Sequence, residues 1–365
     1  MSAVTIYAEQ LEAYLSERYA QPVYIHKLQL LGGEQSGAAA LKGFGYGKPL
    51  RIMYHTDNSQ ATHEMVLRRV NHNEFGHETD ADCVAEVWRD YQTFNRLPRH
   101  THAIDLVGLG RNGRLQRVGD LQELFILTDY VPGTPYAEDL YAIMHSGQTA
   151  ALDFDRAKAT AVYLADIHRL KRDEPALWRR RLRDLVGDGE GIFGLTDSYP
   201  AEHPYITAKL LYEIEDLANR WRWRLKDYAH RLCQVHGDYH PFNILFDGGI
   251  NLSLIDRSRG EWGAPEDDVS CLSINYIFFS IQRDGRLAGE FEKLYHHFLE
   301  NYLMRTGDEE LLEVIAPWYA WRSLVLASPR WYPSLTTLQR EKILNFGRNV
   351  MLDDGFAWDA VNQYL

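Results

Sequence analysis

The chain has 365 residues, of which 45% are hydrophobic and 25% are charged, so it can form one large or two ordinary globular domains. Its formal net charge is −12, from 39 basic and 51 acidic residues, which argues against nucleic acid and anionic membranes as partners. Its three widely spaced cysteines argue against a disulfide framework or a zinc cluster and favour a reducing, cytoplasmic compartment.

Neither a secretory leader nor a membrane span is predicted. The N-terminal stretch MSAVTIYAEQ lacks a basic start followed by an apolar run. The most apolar segment, INYIFFSI at 274–281, is far shorter than the roughly 18 residues that a membrane-spanning helix needs. We therefore expect no membrane partner, whereas a monomer and a homodimer both stay open.

The first third of the chain is rich in predicted strands. Helices are predicted at 5–19 and 79–97, and Thr79 with Asp82 has the spacing of a capping box at the start of the second. Apolar runs separated by glycine and polar residues predict strands at 23–31, 38–47, 50–55, 63–70, 103–110 and 124–130. This succession is typical of an antiparallel sheet with one internal helix.

The remainder of the chain is predominantly helical. Apolar periodicity predicts helices at 155–171, 208–228, 267–282 and over most of 286–345. Two short apolar runs, 243–246 and 252–255, flank an Asp-Gly-Gly turn and predict a small hairpin. The sequence therefore predicts an α+β protein with a strand-rich N-terminal lobe, 1–131, and a mainly helical C-terminal lobe, 132–365.

The segment QVHGDYHPFNILF, residues 234–246, contains the most informative polar pattern. His236 and His240 are four residues apart, as two metal ligands on a helix would be, but the glycine and proline beside them disfavour a helix. A hydrogen-bonded turn before the hairpin is an alternative. The spacing of Asp238 and Asn243 is instead that of the Asp and Asn in kinase catalytic loops.

A second acid extends this pattern. Asp256 ends the run LSLID, and the predicted hairpin returns it beside Asn243. Phosphoryl transfer needs a carboxylate that orients and deprotonates the attacking hydroxyl, and oxygen ligands that hold Mg²⁺ against the nucleotide phosphates. Carboxylate and amide oxygens suit Mg²⁺, whereas histidine does not. The pattern therefore predicts a magnesium-dependent phosphotransferase.

The blocks HGDYHPFNILF (236–246) and LIDRSRGEWGAPEDDVS (254–270) resemble the aminoglycoside phosphotransferase/choline kinase-like family, which has the protein kinase-like fold. The resemblance implies a bilobal enzyme that transfers the γ-phosphate of ATP or GTP to a small molecule. It implies Asp238 as the catalytic base, with Asn243 and Asp256 as Mg²⁺ ligands. Asp268 fits the last Asp of the family's third block, and we expect it to brace the catalytic loop.

The same resemblance implies a nucleotide site in the N-terminal lobe. The kinase-like fold has a phosphate-binding loop between its first two strands, where this chain has LLGGEQSGAAALKG with Gly33, Ser36 and Gly37. An ordinary hairpin is the alternative, because the segment lacks the pattern GxGxxG. The run FILTDYVPG resembles the linker between lobes, which implies that backbone groups near Asp129 and Val131 bind adenine or guanine.

A cation for the α- and β-phosphates is expected on a later strand. Arg68, in MVLR, stands where protein kinases have the lysine of V-A-I-K. The following helix should offer this cation an acid, and both Asp90 and Glu86, one turn earlier on the same face, are candidates. A solvated helix face is the alternative for either acid alone.

The acceptor is expected to be a small molecule with a hydroxyl group, and a cationic or sugar-like compound is one option. The aromatic run 316–333 suits a cation cage or a sugar-stacking surface, and a helical core is the alternative. Glu261, Glu266 and Asp267 would add negative potential near the acceptor. The Gly-rich stretch 184–200 is a candidate lid.

Other interpretations stay open. A protein kinase is disfavoured because Asp-Arg-Ser stands where Asp-Phe-Gly would, and because no Ala-Pro-Glu segment follows. A non-catalytic or weakly active nucleotide-binding protein of the same fold is disfavoured by the intact Asp238, Asn243 and Asp256. A helical binding protein with a coincidental motif also remains, since motif matches carry a risk of false positives.

Overall fold

The computed structural model describes residues 6–31, 49–96, 98–121, 124, 126–200, 204–257 and 259–365. The chain divides into two compact units, Met1–Thr128 and Asp129–Leu365. This division lies close to the boundary predicted between residues 131 and 132. Within the described ranges, no helix is long and apolar enough to cross a membrane.

The N-terminal unit contains a small antiparallel sheet of strand order β1-β2-β3. Its elements are α1 (Ala8–Tyr19), β1 (Val23–Leu30), β2 (Leu50–Thr56), β3 (Ser59–Leu67), α2 (Asp80–Thr93), β4 (Val107–Leu109) and β5 (Leu115–Arg117). Leu11 and Leu15 of α1 form a small core with Ile52 of β2. The Asp82 N–H donates to the Thr79 hydroxyl, which confirms the predicted cap of α2.

One strand prediction in this part of the chain is wrong, and another is too long. The described residues of 124–130 form no strand, and the strand predicted at 103–110 shortens to β4, whose partner β5 was not predicted. A strand forms only by pairing with another segment, and a local apolar pattern does not specify whether that partner is available. The strand predicted at 38–47 lies outside the described residues.

The C-terminal unit is mainly helical. Its elements are β6 (Thr134–Pro135), α3 (Tyr136–Ser146), α4 (Ala151–His168), α5 (Pro175–Gly187), α6 (Ile192–Asp197), α7 (Ala208–Arg224), β7 (Cys233–Gln234), β8 (Ile244–Phe246), β9 (Leu252–Leu254), β10 (Trp262–Gly263), α8 (Pro265–Asp284), α9 (Gly289–Thr306), α10 (Glu310–Val314), α11 (Ala316–Ala327) and α12 (Thr337–Val350). Helix α8 is the centre of this unit. Every residue from Val269 to Ile281 is buried, and α3, α9 and α11 pack around it. The predicted α+β fold class is therefore confirmed.

The predicted hairpin is also confirmed. Strands β8 and β9 pair antiparallel with Ile244 opposite Leu254, and β6 pairs with the other edge of β8.

The stretch 184–200 is not one continuous loop, because α5 extends to Gly187 and α6 begins at Ile192. Only residues 188–191 connect these two helices, so the candidate lid is much shorter than the sequence suggests.

A buried arginine joins three parts of the C-terminal unit. Arg231, just before β7, is 3% exposed and donates hydrogen bonds to Glu266 in the first turn of α8. Its other nitrogens lie 2.7 Å from Asp308 and 2.8 Å from Glu310. Glu266 is completely buried, and this burial raises its pKa. A carboxylate in that position is stable as an ion only while Arg231 compensates its charge.

We predict that Arg231→Leu lowers the free energy of unfolding by about 3–5 kcal/mol, because it leaves the Glu266 carboxylate buried without a partner. Chemical denaturation of the full chain measures this loss. Arg220→Leu is the matched control, because Arg220 pairs with Asp216 at the surface and should cost less than about 1 kcal/mol. Equal losses in the two variants would contradict the assigned role of Arg231.

Candidate active site

A carboxylate of α8 holds the loop between β7 and β8. Asp268 is completely buried, and its two oxygens accept hydrogen bonds from the backbone N–H groups of His236 and Gly237, both at 2.7 Å. A ring nitrogen of His168 lies 3.2 Å from the same carboxylate, and the other lies 2.8 Å from the Tyr302 hydroxyl. These contacts agree with the bracing role expected for Asp268.

Gly237 provides the turn that this bracing requires. Its φ is +86°, in the left-handed region, and a Cβ there would lie 3.2 Å from the Cβ of Arg259. His236 supports the turn, because its Nδ1 accepts from the Asp238 N–H at 3.3 Å and its Nε2 donates to the Ile255 carbonyl at 3.1 Å. Both nitrogens of His236 are thus engaged.

In the described part of the chain, no group of three His, Cys, Asp or Glu side chains is suited to a metal ion.

Two arginines hold one oxygen of Asp238, the predicted base. Arg322 Nη1 lies 3.0 Å and Arg259 Nη1 lies 2.9 Å from its Oδ1. Burial alone would raise the pKa of Asp238, but the two guanidinium charges outweigh burial and lower the pKa from its ordinary value. Its Oδ2 lies 3.6 Å from Nε2 of His240, whose pKa is lowered by burial. At neutral pH, Asp238 is therefore a carboxylate beside a neutral imidazole.

The hairpin brings Asn243 and Asp256 to the same end of β8 and β9. The Ile255 N–H donates to the Asn243 carbonyl at 3.1 Å, next to the last strand pair. Asn243 is buried, and its amide nitrogen donates to the Asp238 carbonyl at 3.0 Å, which leaves the amide oxygen as an acceptor. Asp256 is exposed at φ +59°, a conformation that Asp tolerates better than most residues. Asp238, Asn243 and Asp256 therefore lie together beside the hairpin.

A cavity of about 500 Å³ lies beside Asp238. Its walls come from the 188–191 connection, α6, α8, α11 and the loop after α11.

The aromatic residues of the run 316–333 lie in two different environments. Trp318 and Trp321 are buried in the helical core, whereas Trp331 and Tyr332 line the cavity.

The acids expected beside the acceptor do not line this cavity. Glu266, in the first turn of α8, is buried and accepts a hydrogen bond from Arg231. Asp267 accepts a hydrogen bond from Arg322, and burial raises the pKa of Asp267 to about 6. Glu261 accepts from the indole of its neighbour Trp262. None of these three carboxylates is therefore on the described lining of the cavity.

Where those acids were expected, the lining of the cavity has three arginines: Arg259, Arg322 and Arg330. None of the three was predicted from the sequence. Arg259 stands three residues after Asp256, and this proximity was the only signal available for it. Arg322 is 84 residues from Asp238, a separation that no short motif spans.

In the N-terminal unit, Arg68 follows β3 and lies near both predicted acids of α2. Its Nη2 is 2.9 Å from Asp90 Oδ2, without the geometry of a hydrogen bond, and 3.7 Å from Glu86 Oε1. Glu86 also bonds His77, and the Arg68 guanidinium lies 5.7 Å from the centre of the Phe94 ring. Asp90 is therefore the closer partner of Arg68.

The other predicted nucleotide-binding residues are Asp129 and Val131, which the structure describes, and Gly33, Ser36 and Gly37, which it does not. Asp129 is exposed and Val131 is half-buried, in a segment without regular secondary structure. Gly33, Ser36 and Gly37 lie outside the described residues. The roles predicted for these five residues stay predictions.

Residues 56–309 of the chain match the model of the phosphotransferase enzyme family. No curated protein matches the chain. Among solved structures, it is similar to an amicoumacin kinase in complex with AMP-PNP, Ca²⁺ and Ami, at 13% identity, 95% and 96% coverage of the two chains and TM-score 0.42. It is also similar to a choline/ethanolamine kinase family protein from Mesorhizobium loti, at 13% identity, 93% coverage of each chain and TM-score 0.38.

We predict that Asp268→Asn lowers the free energy of unfolding by about 1–3 kcal/mol, because an amide accepts from only one of the two N–H groups and turns its own NH₂ towards the other. Chemical denaturation and amide hydrogen exchange at residues 236 and 237 measure the effect. Asp284→Asn, on the same helix, is the control, because the ion pair of Asp284 is with its sequence neighbour Arg283. If the two variants lose the same stability and protection, Asp268 does not brace the loop.

Proposed function

Because the chain belongs to the phosphotransferase enzyme family, we propose that it is a small-molecule kinase that uses ATP or GTP. The acceptor hydroxyl oxygen forms a bond to the γ-phosphorus, and the bond from that phosphorus to the β–γ bridging oxygen breaks. The products are a phosphate ester, a nucleoside diphosphate and a proton. The observation that carries this proposal is the grouping of Asp238, Asn243 and Asp256 beside the β8–β9 hairpin.

Asp238 orients the acceptor hydroxyl in this proposal. Arg259 and Arg322 restrain its Oδ1, so Oδ2 is the oxygen that accepts the hydroxyl hydrogen bond. A carboxylate with a lowered pKa is a weak base, and the proton therefore reaches it late in the transfer. Such a base suits phosphoryl transfer, because its loose transition state depends more on positioning than on early deprotonation of the nucleophile.

Asn243 and Asp256 supply two oxygen ligands that fit Mg²⁺. The amide oxygen of Asn243 is not used by its hydrogen bond to the loop, and the Asp256 carboxylate is exposed. A set of this size suits Mg²⁺, which usually binds through one or two carboxylates together with substrate phosphates and water. When bound, Mg²⁺ neutralises charge that develops on the phosphates.

Arg68 serves the nucleotide phosphates. Asp90 orients it from α2, and 45% of the Arg68 side chain remains exposed, which leaves guanidinium N–H groups for a phosphate. The remaining nucleotide contacts are those that the family resemblance implies for the N-terminal lobe and the linker.

We predict that Asp238→Asn lowers turnover by a factor on the order of 10²–10⁴, because an amide cannot take up the hydroxyl proton. Nucleotide binding, followed by the thermal shift with ATP or GTP, should persist. Turnover is measured as γ-phosphate consumption over a panel of aminoglycosides, amino alcohols, sugars and hydroxy acids. Asp216→Asn, which changes the α7 partner of Arg220 in a surface ion pair, is the control. Turnover near that of the wild type in Asp238→Asn would remove Asp238 from the base role.

We predict that Asp256→Ala abolishes the part of nucleotide affinity that depends on Mg²⁺, because one of two protein ligands is lost. Isothermal titration with ATP in the presence and absence of Mg²⁺ measures this difference. Asp247→Ala changes an exposed carboxylate in the turn of the same hairpin and should keep the metal dependence. An unchanged Mg²⁺ dependence in Asp256→Ala would refute the ligand assignment.

A further inference from the structure

The cavity beside Asp238 has more positive than negative side chains. Three arginines line it: Arg259, Arg322 and Arg330. The carboxylates on the same lining are those of Asp238 and Glu190. His240 also lines the cavity. Arg322 pairs in addition with the Asp267 carboxylate, so the lining is distinguished by how its arginines are paired rather than by their number.

Two of these arginines already compensate both carboxylates. Arg322 is 6% exposed and holds Asp238 and Asp267. Arg259 contacts Asp238 at 2.9 Å and the exposed carboxylate of Glu190 at 3.3 Å. In addition, the Nε of Arg322 is buried without a hydrogen-bond partner. The lining therefore offers no unpaired carboxylate to a cationic acceptor.

The third arginine has no such partner. Arg330 is exposed on the loop after α11, and its backbone N–H donates to the Ser328 hydroxyl at 3.2 Å. Among the described residues, no carboxylate pairs with the Arg330 guanidinium. A guanidinium binds carboxylate and phosphate oxygens with two parallel hydrogen bonds and keeps its charge at any physiological pH. The Arg330 guanidinium carbon lies 6.0 Å from the centre of the Trp331 ring, and this contact leaves its N–H groups available to an anion in the cavity.

Aromatic surfaces lie on the same lining. Trp331 is 48% exposed and Phe242 is 43% exposed, so both present apolar ring surface. Such surfaces pack against the faces of sugar or other rings. The volume of about 500 Å³ is within the range of small-molecule sites, so it has room for a compound of hexose size with one charged substituent.

We propose that the acceptor is a hydroxylated compound with an anionic group, a carboxylate or a phosphate ester, and that Arg330 binds this group while Asp238 faces the reacting hydroxyl. The inference rests on the proposed kinase function, because it treats the cavity as the acceptor site. The bonds that form and break are those of the transfer described above. The anionic group takes no part in the chemistry and serves to recognise the acceptor.

A matched series of hexoses tests this inference. Gluconate and glucose 6-phosphate are the anionic probes, glucose is the neutral one and glucosamine is the cationic one. Binding is measured by isothermal titration of the full chain without nucleotide, and transfer is measured by γ-phosphate consumption with ATP and Mg²⁺. We expect the wild type to bind at least one anionic probe more tightly than glucose and glucosamine. The two anions distinguish a carboxylate from a phosphate site.

Charge reversal identifies the residue. Arg330→Glu should weaken binding of the preferred anion roughly 10- to 100-fold, as expected for a lost charge-assisted hydrogen bond, and should leave glucose binding unchanged. Arg220→Glu, at an exposed position of α7, should leave anion binding as in the wild type. An unchanged melting temperature of Arg330→Glu would show that the variant is folded.

The outcomes separate this inference from the proposed function. If the wild type binds no anion, or prefers glucosamine or glucose, or if Arg330→Glu binds the anions as tightly as the wild type, the inference is wrong. Phosphate transfer to a cationic or neutral acceptor would then leave the kinase function standing. If anions bind through Arg330 but no phosphate is transferred to any acceptor, the anion site stands and the proposed kinase function is wrong.

Discussion

The two hydrogen bonds from the His236 and Gly237 N–H groups to Asp268 are the interaction on which the site depends. Asp268 stands in the first turn of α8, where the helix dipole favours a negative charge, and α8 is buried at the centre of its unit. The loop is therefore fixed to a helix that is packed on several sides. Because Asp238 and Asn243 follow within the same loop, their positions are fixed by the same contacts.

A second constraint is the balance of charge around Asp238. Its carboxylate is largely buried, and burial would disfavour the ion if Arg259 and Arg322 did not compensate it. The two arginines reduce the basicity of Asp238 and in return fix the direction of its side chain. For phosphoryl transfer, position matters more than basicity. The same guanidinium groups line the cavity and pair with its carboxylates, so the residues that hold the base also leave no unpaired carboxylate there for a cationic acceptor.

Much of the fold could be predicted because its determinants are local. The capping box of Thr79 and Asp82 and the turn of the β8–β9 hairpin depend on residues a few positions apart, and both are present. The segment 124–130 and the unpredicted β5 show where local pattern fails, since strand pairing depends on distant partners. The prediction of a lid at 184–200 failed for another reason. The glycines of this stretch made the end of α5 and the start of α6 unrecognisable from the sequence.

The sequence by itself determined the family and the grouping of Asp238, Asn243 and Asp256, because one loop and one short hairpin connect all three. Only the tertiary structure decided which charges surround them. Glu266 and Asp267 follow the hairpin closely in the chain, yet one is compensated by Arg231 and the other by Arg322. Arg322 and Arg330 reach the cavity from α11 and the loop after it. Which group pairs with a charged side chain depends on how distant helices pack, and local sequence spacing does not specify it.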